Sequence, residues 1–141
     1  MSDAPPHAGI LEAAIYVDDL DAAERFYGAV LGLKKIVRVE GRHVFFRCGE
    51  GVILAFIAQE TLRPPAPDAA LPVPPHGATG AGHVCIGAES NTLNDWEKHL
   101  KDNGLKIEAD FHWPNGARSI YLRDPAGNSV EIADRTLWRR G

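Results

Sequence analysis

Along residues 10–17 the side chains alternate, with Ala13, Ile15 and Val17 on one side of an extended chain and Glu12, Ala14 and Tyr16 on the other, a pattern that predicts a strand. The period then changes. Ala23, Phe26, Tyr27, Val30 and Leu31 recur at helical spacing, which predicts a helix that Asp18 or Asp19 can cap and Gly32 can end in the left-handed conformation. Period-two patterning returns at 34–39, 42–48 and 52–58, the last two joined by Gly49-Glu50-Gly51. Residues 62–82 are rich in proline and glycine and carry no period, so they read as a linker. The plan then restarts: a strand over 82–88, a helix striped by Leu93, Trp96 and Leu100, and strands over 105–113, 117–123 and 129–133. Ser90 or Asn91 can cap the second helix and Gly104 can end it; Asn115-Gly116 and residues 124–128 supply turns. Each half is β-α-β-β-β.

Splitting each strand into its two faces gives the same answer in both halves. Ile15, Val17, Val84, Ile86, Ile120, Leu122, Val130 and Ile132 form faces suited to packing beneath helices. The opposite faces mix Ala14, Cys85, Gly87 and Ser129 with Glu12, Tyr16, His83, Tyr121, Arg123 and Glu131. Small residues beside titratable ones fit a concave cleft better than a lysine-and-threonine surface open to solvent. If the 124–128 turn sets Arg123 against Ser129, Tyr121 stands across from Glu131. The expected divisions are an N-terminal tail 1–9, a first module 10–61, a linker 62–81, a second module 82–135 and a C-terminal tail 136–141, together one domain.

Composition narrows the picture. A chain of 141 residues, 45% hydrophobic and 24% charged, is long enough to bury its own core. A net charge of −4 with scattered basic residues argues against nucleic acid as a partner, and no apolar run is long enough for a membrane span. The first residues lack the pattern of a signal peptide, so a cytoplasmic location is expected. Cys48 and Cys85 are not at zinc-ligand spacing.

Three stretches stand out: Ile-Tyr-Val-Asp-Asp-Leu-Asp-Ala-Ala-Glu-Arg-Phe-Tyr-Gly-Ala-Val-Leu-Gly-Leu at 15–33, Gly-His-Val at 82–84 and Asp-Pro-Ala-Gly-Asn-Ser-Val-Glu-Ile at 124–132. They resemble the vicinal oxygen chelate superfamily, which groups glyoxalase I, bleomycin-resistance proteins, fosfomycin-resistance enzymes and extradiol dioxygenases. The resemblance implies an α+β fold of paired βαβββ modules, whose curved mixed sheets surround a cleft that often holds a metal and is often completed in a homodimer. Carried over position by position, it implies Glu12, His83 and Glu131 as ligands of a divalent ion such as Zn, Mn, Fe or Ni. Glu12 stands where the family often has histidine. Leu54 falls at or near the fourth ligand of glyoxalase I, so that four-ligand site is not reproduced. Two carboxylates and one histidine also differ from the two-histidine, one-carboxylate set suited to Fe(II) dioxygenases.

The first functional reading is therefore a metal-dependent enzyme of lyase or isomerase type, acting on a small substrate that chelates the ion through adjacent oxygens, with Glu131 moving a proton. Tyr16, His43, Phe45, His76, Trp113, Tyr121 and Arg123 are candidate substrate contacts, Arg123 for an anionic group. The alternative is a metal-free binding protein of the bleomycin-resistance kind, in which Phe45, Trp113 and Tyr121 matter more than His83. A dioxygenase or thiol transferase is a third, weaker reading.

Overall fold

The computed structural model describes residues 4–139. Strand β1 (Glu12–Tyr16) leads into helix α1 (Leu20–Ala23), and Asp19 closes its first turn by accepting from the backbone N–H groups of Asp21 and Ala22. The helix continues as a π-helix over Glu24–Val30, where the Leu31 N–H reaches back to the Phe26 carbonyl, and the adjacent Phe26 and Tyr27 are both buried. Gly32, at φ +74°, ends it as expected. Then come β2 (Lys34–Val39), β3 (His43–Cys48), β4 (Gly51–Phe56) and a short helix α2 (Ala58–Thr61). The second half contributes β5 (His83–Ala88), a 3₁₀ turn at Ser90–Thr92, α3 (Leu93–Asp102), β6 (Ala109–His112), β7 (Arg118–Arg123) and β8 (Ser129–Asp134).

Three local expectations differ from the structure. Strand β4 stops at Phe56 because Ile57 is already the cap position of α2. Strand β6 starts only at Ala109, since Leu105 and Ile107 are spent packing against the core before the ladder with β7 begins. Ser90 does not cap α3: it sits in the 3₁₀ turn ahead of that helix and donates its hydroxyl to the Asp134 carboxylate.

The strands form two mixed sheets of identical plan, β1-β4-β3-β2 and β5-β8-β7-β6, with the first pair in each parallel and the others antiparallel. The helices cover one face of each. Their apolar residues merge into one core that takes in Ile15, Phe26, Tyr27 and Phe46 from the first half and Leu100, Ile120 and Ile132 from the second.

A polar clasp joins the halves. Asp124, buried at 4% exposure, accepts from the Tyr27 hydroxyl, the Ala126 and Asn128 backbone N–H groups and the Asn128 side-chain amide. The same Asn128 amide donates to the Tyr16 carbonyl, and its oxygen accepts from the Gly82 N–H. The 124–128 turn therefore ties the end of β1 to the start of β5, with each buried polar group partnered.

Candidate functional site

Glu131 answers the alternation argument directly. It lies on the helix-free face of the second sheet, flanked by Cys85 on β5 and Tyr121 on β7, in the register expected. Only 4% of its surface is exposed, so its carboxylate needs partners. Ser119 donates its hydroxyl to one carboxylate oxygen at 2.5 Å and itself accepts from the Trp113 indole N–H at 2.8 Å. The sequence carries no signal for this relay. Ser119 shared the polar face by alternation, but nothing in the sequence distinguished it from Ser129.

The other carboxylate oxygen faces His83 Nε2 at 3.3 Å. His83 Nδ1 lies 3.1 Å from the Ser129 carbonyl oxygen, which can only accept, and 3.2 Å from the Ser129 hydroxyl. A hydrogen on Nδ1 satisfies the carbonyl and leaves the neutral ring's Nε2 lone pair turned toward a carboxylate oxygen. Two acceptors at that distance need a proton or a cation between them, and a backbone carbonyl on the far ring nitrogen is how metal-ligating histidines are oriented. The pair thus supplies two donors of the kind a divalent ion takes.

Neighbouring groups bear the carboxylate's mark. Desolvation, then the charge of Glu131, raises the Tyr121 hydroxyl above its ordinary value, and the same two causes push the Cys85 thiol up to about 12 although the residue as a whole is exposed. The Tyr121 ring lies between those of His83 and Phe111, at centroid distances of 6.2 and 5.7 Å.

Glu12 is elsewhere. It stands at the start of β1, on the open face of the first sheet, and β1 meets the second half at its other end, through the bond from Asn128 to the Tyr16 carbonyl. Glu12 is four residues back, roughly 13 Å of strand. Among the described residues of one chain, no three His, Cys, Asp or Glu side chains converge as an ion would require.

The first sheet has a cavity of its own, of about 1050 Å³, over Glu12, Tyr16, His43, Phe45, Leu54 and Phe56. Residues 58–76 fold over it. His76 closes this strap: its backbone N–H donates to the Thr61 carbonyl, its Nδ1 is 2.7 Å from the Tyr16 hydroxyl, and its ring meets Phe56 edge-on at 4.6 Å. His43 is buried and stacked on Phe45, with Nδ1 2.7 Å from an Arg42 guanidinium nitrogen. Burial, then the Arg42 charge, lowers its pKa below the usual histidine range.

Two candidate contacts have partners within the fold. Arg123 forms a two-point pair with Glu108, at 2.6 and 3.1 Å, and also reaches the Gly127 carbonyl. Trp113 serves the Ser119 relay and packs edge-on against Phe111.

Residues 9–132 match the sequence model of the Glyoxalase/Bleomycin resistance protein/Dioxygenase superfamily. The chain is similar to the crystal structure of a lactoylglutathione lyase from Agrobacterium tumefaciens, at 42% identity and a TM-score of 0.89, over 96% of this chain and 100% of that one. A virulence protein from Salmonella typhimurium matches at 27% identity and a TM-score of 0.66, over 92% of this chain and 98% of that one. A glyoxalase/bleomycin resistance protein/dioxygenase from Alicyclobacillus acidocaldarius shares the fold at 18% identity and a TM-score of 0.62, over 89% of each chain. Among curated proteins, none matches.

Proposed function

The chain belongs to the glyoxalase/bleomycin resistance protein/dioxygenase superfamily, and from that premise we propose that it is a divalent-metal-dependent enzyme acting on a small substrate with two adjacent oxygens. The observation that carries this reading is the opposition of His83 Nε2 and a Glu131 oxygen at 3.3 Å, with the far side of the ring turned to a carbonyl. His83 and Glu131 would hold the ion, whether Zn, Mn, Fe or Ni. When bound, it would supply Lewis-acid polarisation of the chelated oxygens.

The chain's own residues then divide the work. Ser119 occupies one Glu131 oxygen, so the oxygen that faces His83 would be the ligand, and its second lone pair is what Glu131 has left to hold or move a substrate proton. Tyr121, its hydroxyl kept protonated by desolvation and then by the neighbouring carboxylate, donates to a substrate oxygen. Glu12 completes the ligand set from a second copy, since β1 of the same chain meets the second half at its far end. This makes the working unit a homodimer. The similarity to a lactoylglutathione lyase favours a lyase-type reaction, but Leu54, buried in the first-sheet cavity, offers no fourth ligand, so the same substrate does not follow.

The test is metal content by elemental mass spectrometry on protein purified without tag or chelator. One divalent ion per site is expected, lost in His83→Ala and Glu131→Ala and retained in Cys48→Ala. Protein that stays metal-free after incubation with Zn, Mn, Fe and Ni refutes the reading. The aromatic first-sheet cavity would then favour a metal-free binding protein.

A further inference from the structure

The cavity over the first sheet also holds Glu12, the residue proposed to complete the site of a second copy, and the rest of its lining has a chemistry that His83 and Glu131 do not supply. Phe56 is its centre: Tyr16, His43, Phe45 and His76 all pack on that ring, at centroid distances of 4.6 to 6.3 Å. This cluster lies on the open face of the sheet, away from the main core, beneath a strap whose Leu71 and Val73 remain 82% and 52% exposed at the cavity wall. Exposed apolar groups around a ring-lined hollow of this size suit a flat apolar body.

The polar groups decide its charge. The Arg42 guanidinium sits 5.6 Å from the Phe56 ring centroid and bonds to His43 Nδ1. That leaves the neutral His43 ring with its hydrogen on Nε2, so both residues at this end of the cavity offer donors. A cationic ligand would meet a guanidinium already placed on the ring it would need. The acidic residues do not reverse this. Glu60 pairs with Arg63 at 3.4 Å, and Glu12 lies in the row of Val52 and Arg47, four residues along β1 from the Tyr16–Phe56–His43 row.

We propose that this cavity binds a planar aromatic ring bearing an oxyanion, such as an aromatic carboxylate, with the ring among Phe45, Phe56 and Tyr16 and the oxyanion toward Arg42 and His43. The assignment rests on the proposed homodimer, in which Glu12 makes this cavity part of the same cleft, while its ring and oxyanion contacts are open to test without the ion.

Isothermal titration of the whole protein in chelator, where the metal reading has no influence, compares 2-naphthoate with its saturated decahydro analogue and with 2-naphthylmethylammonium. 2-Naphthoate is expected to bind about tenfold tighter than either. Arg42→Gln should weaken 2-naphthoate about tenfold without weakening the ammonium compound, and Phe45→Leu should weaken both aromatic probes. In the unmodified protein, NMR signals of the His43 and His76 rings should shift on titration, which locates the probe without any variant. Failure of 2-naphthoate to bind, equal binding of the saturated or cationic probe, or shifts that spare both histidines would overturn the assignment and leave the cluster as the seat of the strap.

Discussion

Replacing Ser119 by alanine tests whether Glu131 is held in place or merely buried. The hydroxyl is fully inaccessible and makes two bonds, one donated to a carboxylate and one accepted from the Trp113 indole. A bond to a charged group contributes about 1.5–3 kcal/mol and a neutral one about 0.5–1.5 kcal/mol. The indole is only part-buried, so water can replace its lost partner, and the neutral bond is taken at the low end. A loss of about 2–4 kcal/mol is expected, which for a chain of this length lowers Tm by roughly 6–12 °C. Urea unfolding followed by circular dichroism measures it, with Trp113→Phe and the double variant completing a cycle. Because the two residues share a bond, the cycle should show coupling of about 0.5–1 kcal/mol. A loss below about 0.5 kcal/mol, the range of ordinary surface changes, would show that Ser119 does not secure the carboxylate, and strict additivity would remove the indole from the relay.

Other consequences follow from the same geometry. Tyr27→Phe removes one of four donors to Asp124 and should cost about 1.5–3 kcal/mol in urea unfolding, whereas Asp124→Ala, which strands all of them, should cost more; the reverse order would refute the clasp. If His83 and Glu131 hold an ion, saturating zinc at 100 times its Kd should stabilise the protein by about 2.7 kcal/mol, an increment absent in His83→Ala. With the Cys85 thiol pushed up to about 12, its alkylation by iodoacetamide should be slow at pH 8 and still rising steeply at pH 10; Glu131→Gln should accelerate it, and a plateau by pH 9.5 would contradict the site's electrostatics. Glu97 is held below the usual carboxylate range by Lys101 and then Arg118, and Asp110 by Arg118. Depressed carboxylates stabilise above their unfolded value near about 4 and lose that contribution as pH falls through the folded value. Arg118→Gln should therefore flatten the acid limb of the stability curve, and an unchanged limb would discount the cluster.

The repeated β-α-β-β-β plan, the faces of the strands, the opposition of Tyr121 to Glu131 and the glycine exits of both helices are legible in the residues alone. These are local properties: strand faces follow from a period of two, turn register from the residues in the turn, and a left-handed exit from the absence of a Cβ. Which polar groups meet depends on how the elements pack. Alternation puts Arg123 on the same face as Glu131, yet its fork goes to Glu108, and Ser119, unremarkable in sequence, holds the buried carboxylate. The strap over the first sheet was equally hidden, since residues 62–82 have no period and their path depends on His76 finding Tyr16 and Phe56, sixty and twenty residues away. Glu12 and His83 hold equivalent positions in the repeat, but how the two halves pack, fixed by Asn128 at the end of β1, sets them apart within one chain. A hydrogen bond is decided over a few ångströms between elements far apart in the chain, a distance that no periodicity encodes.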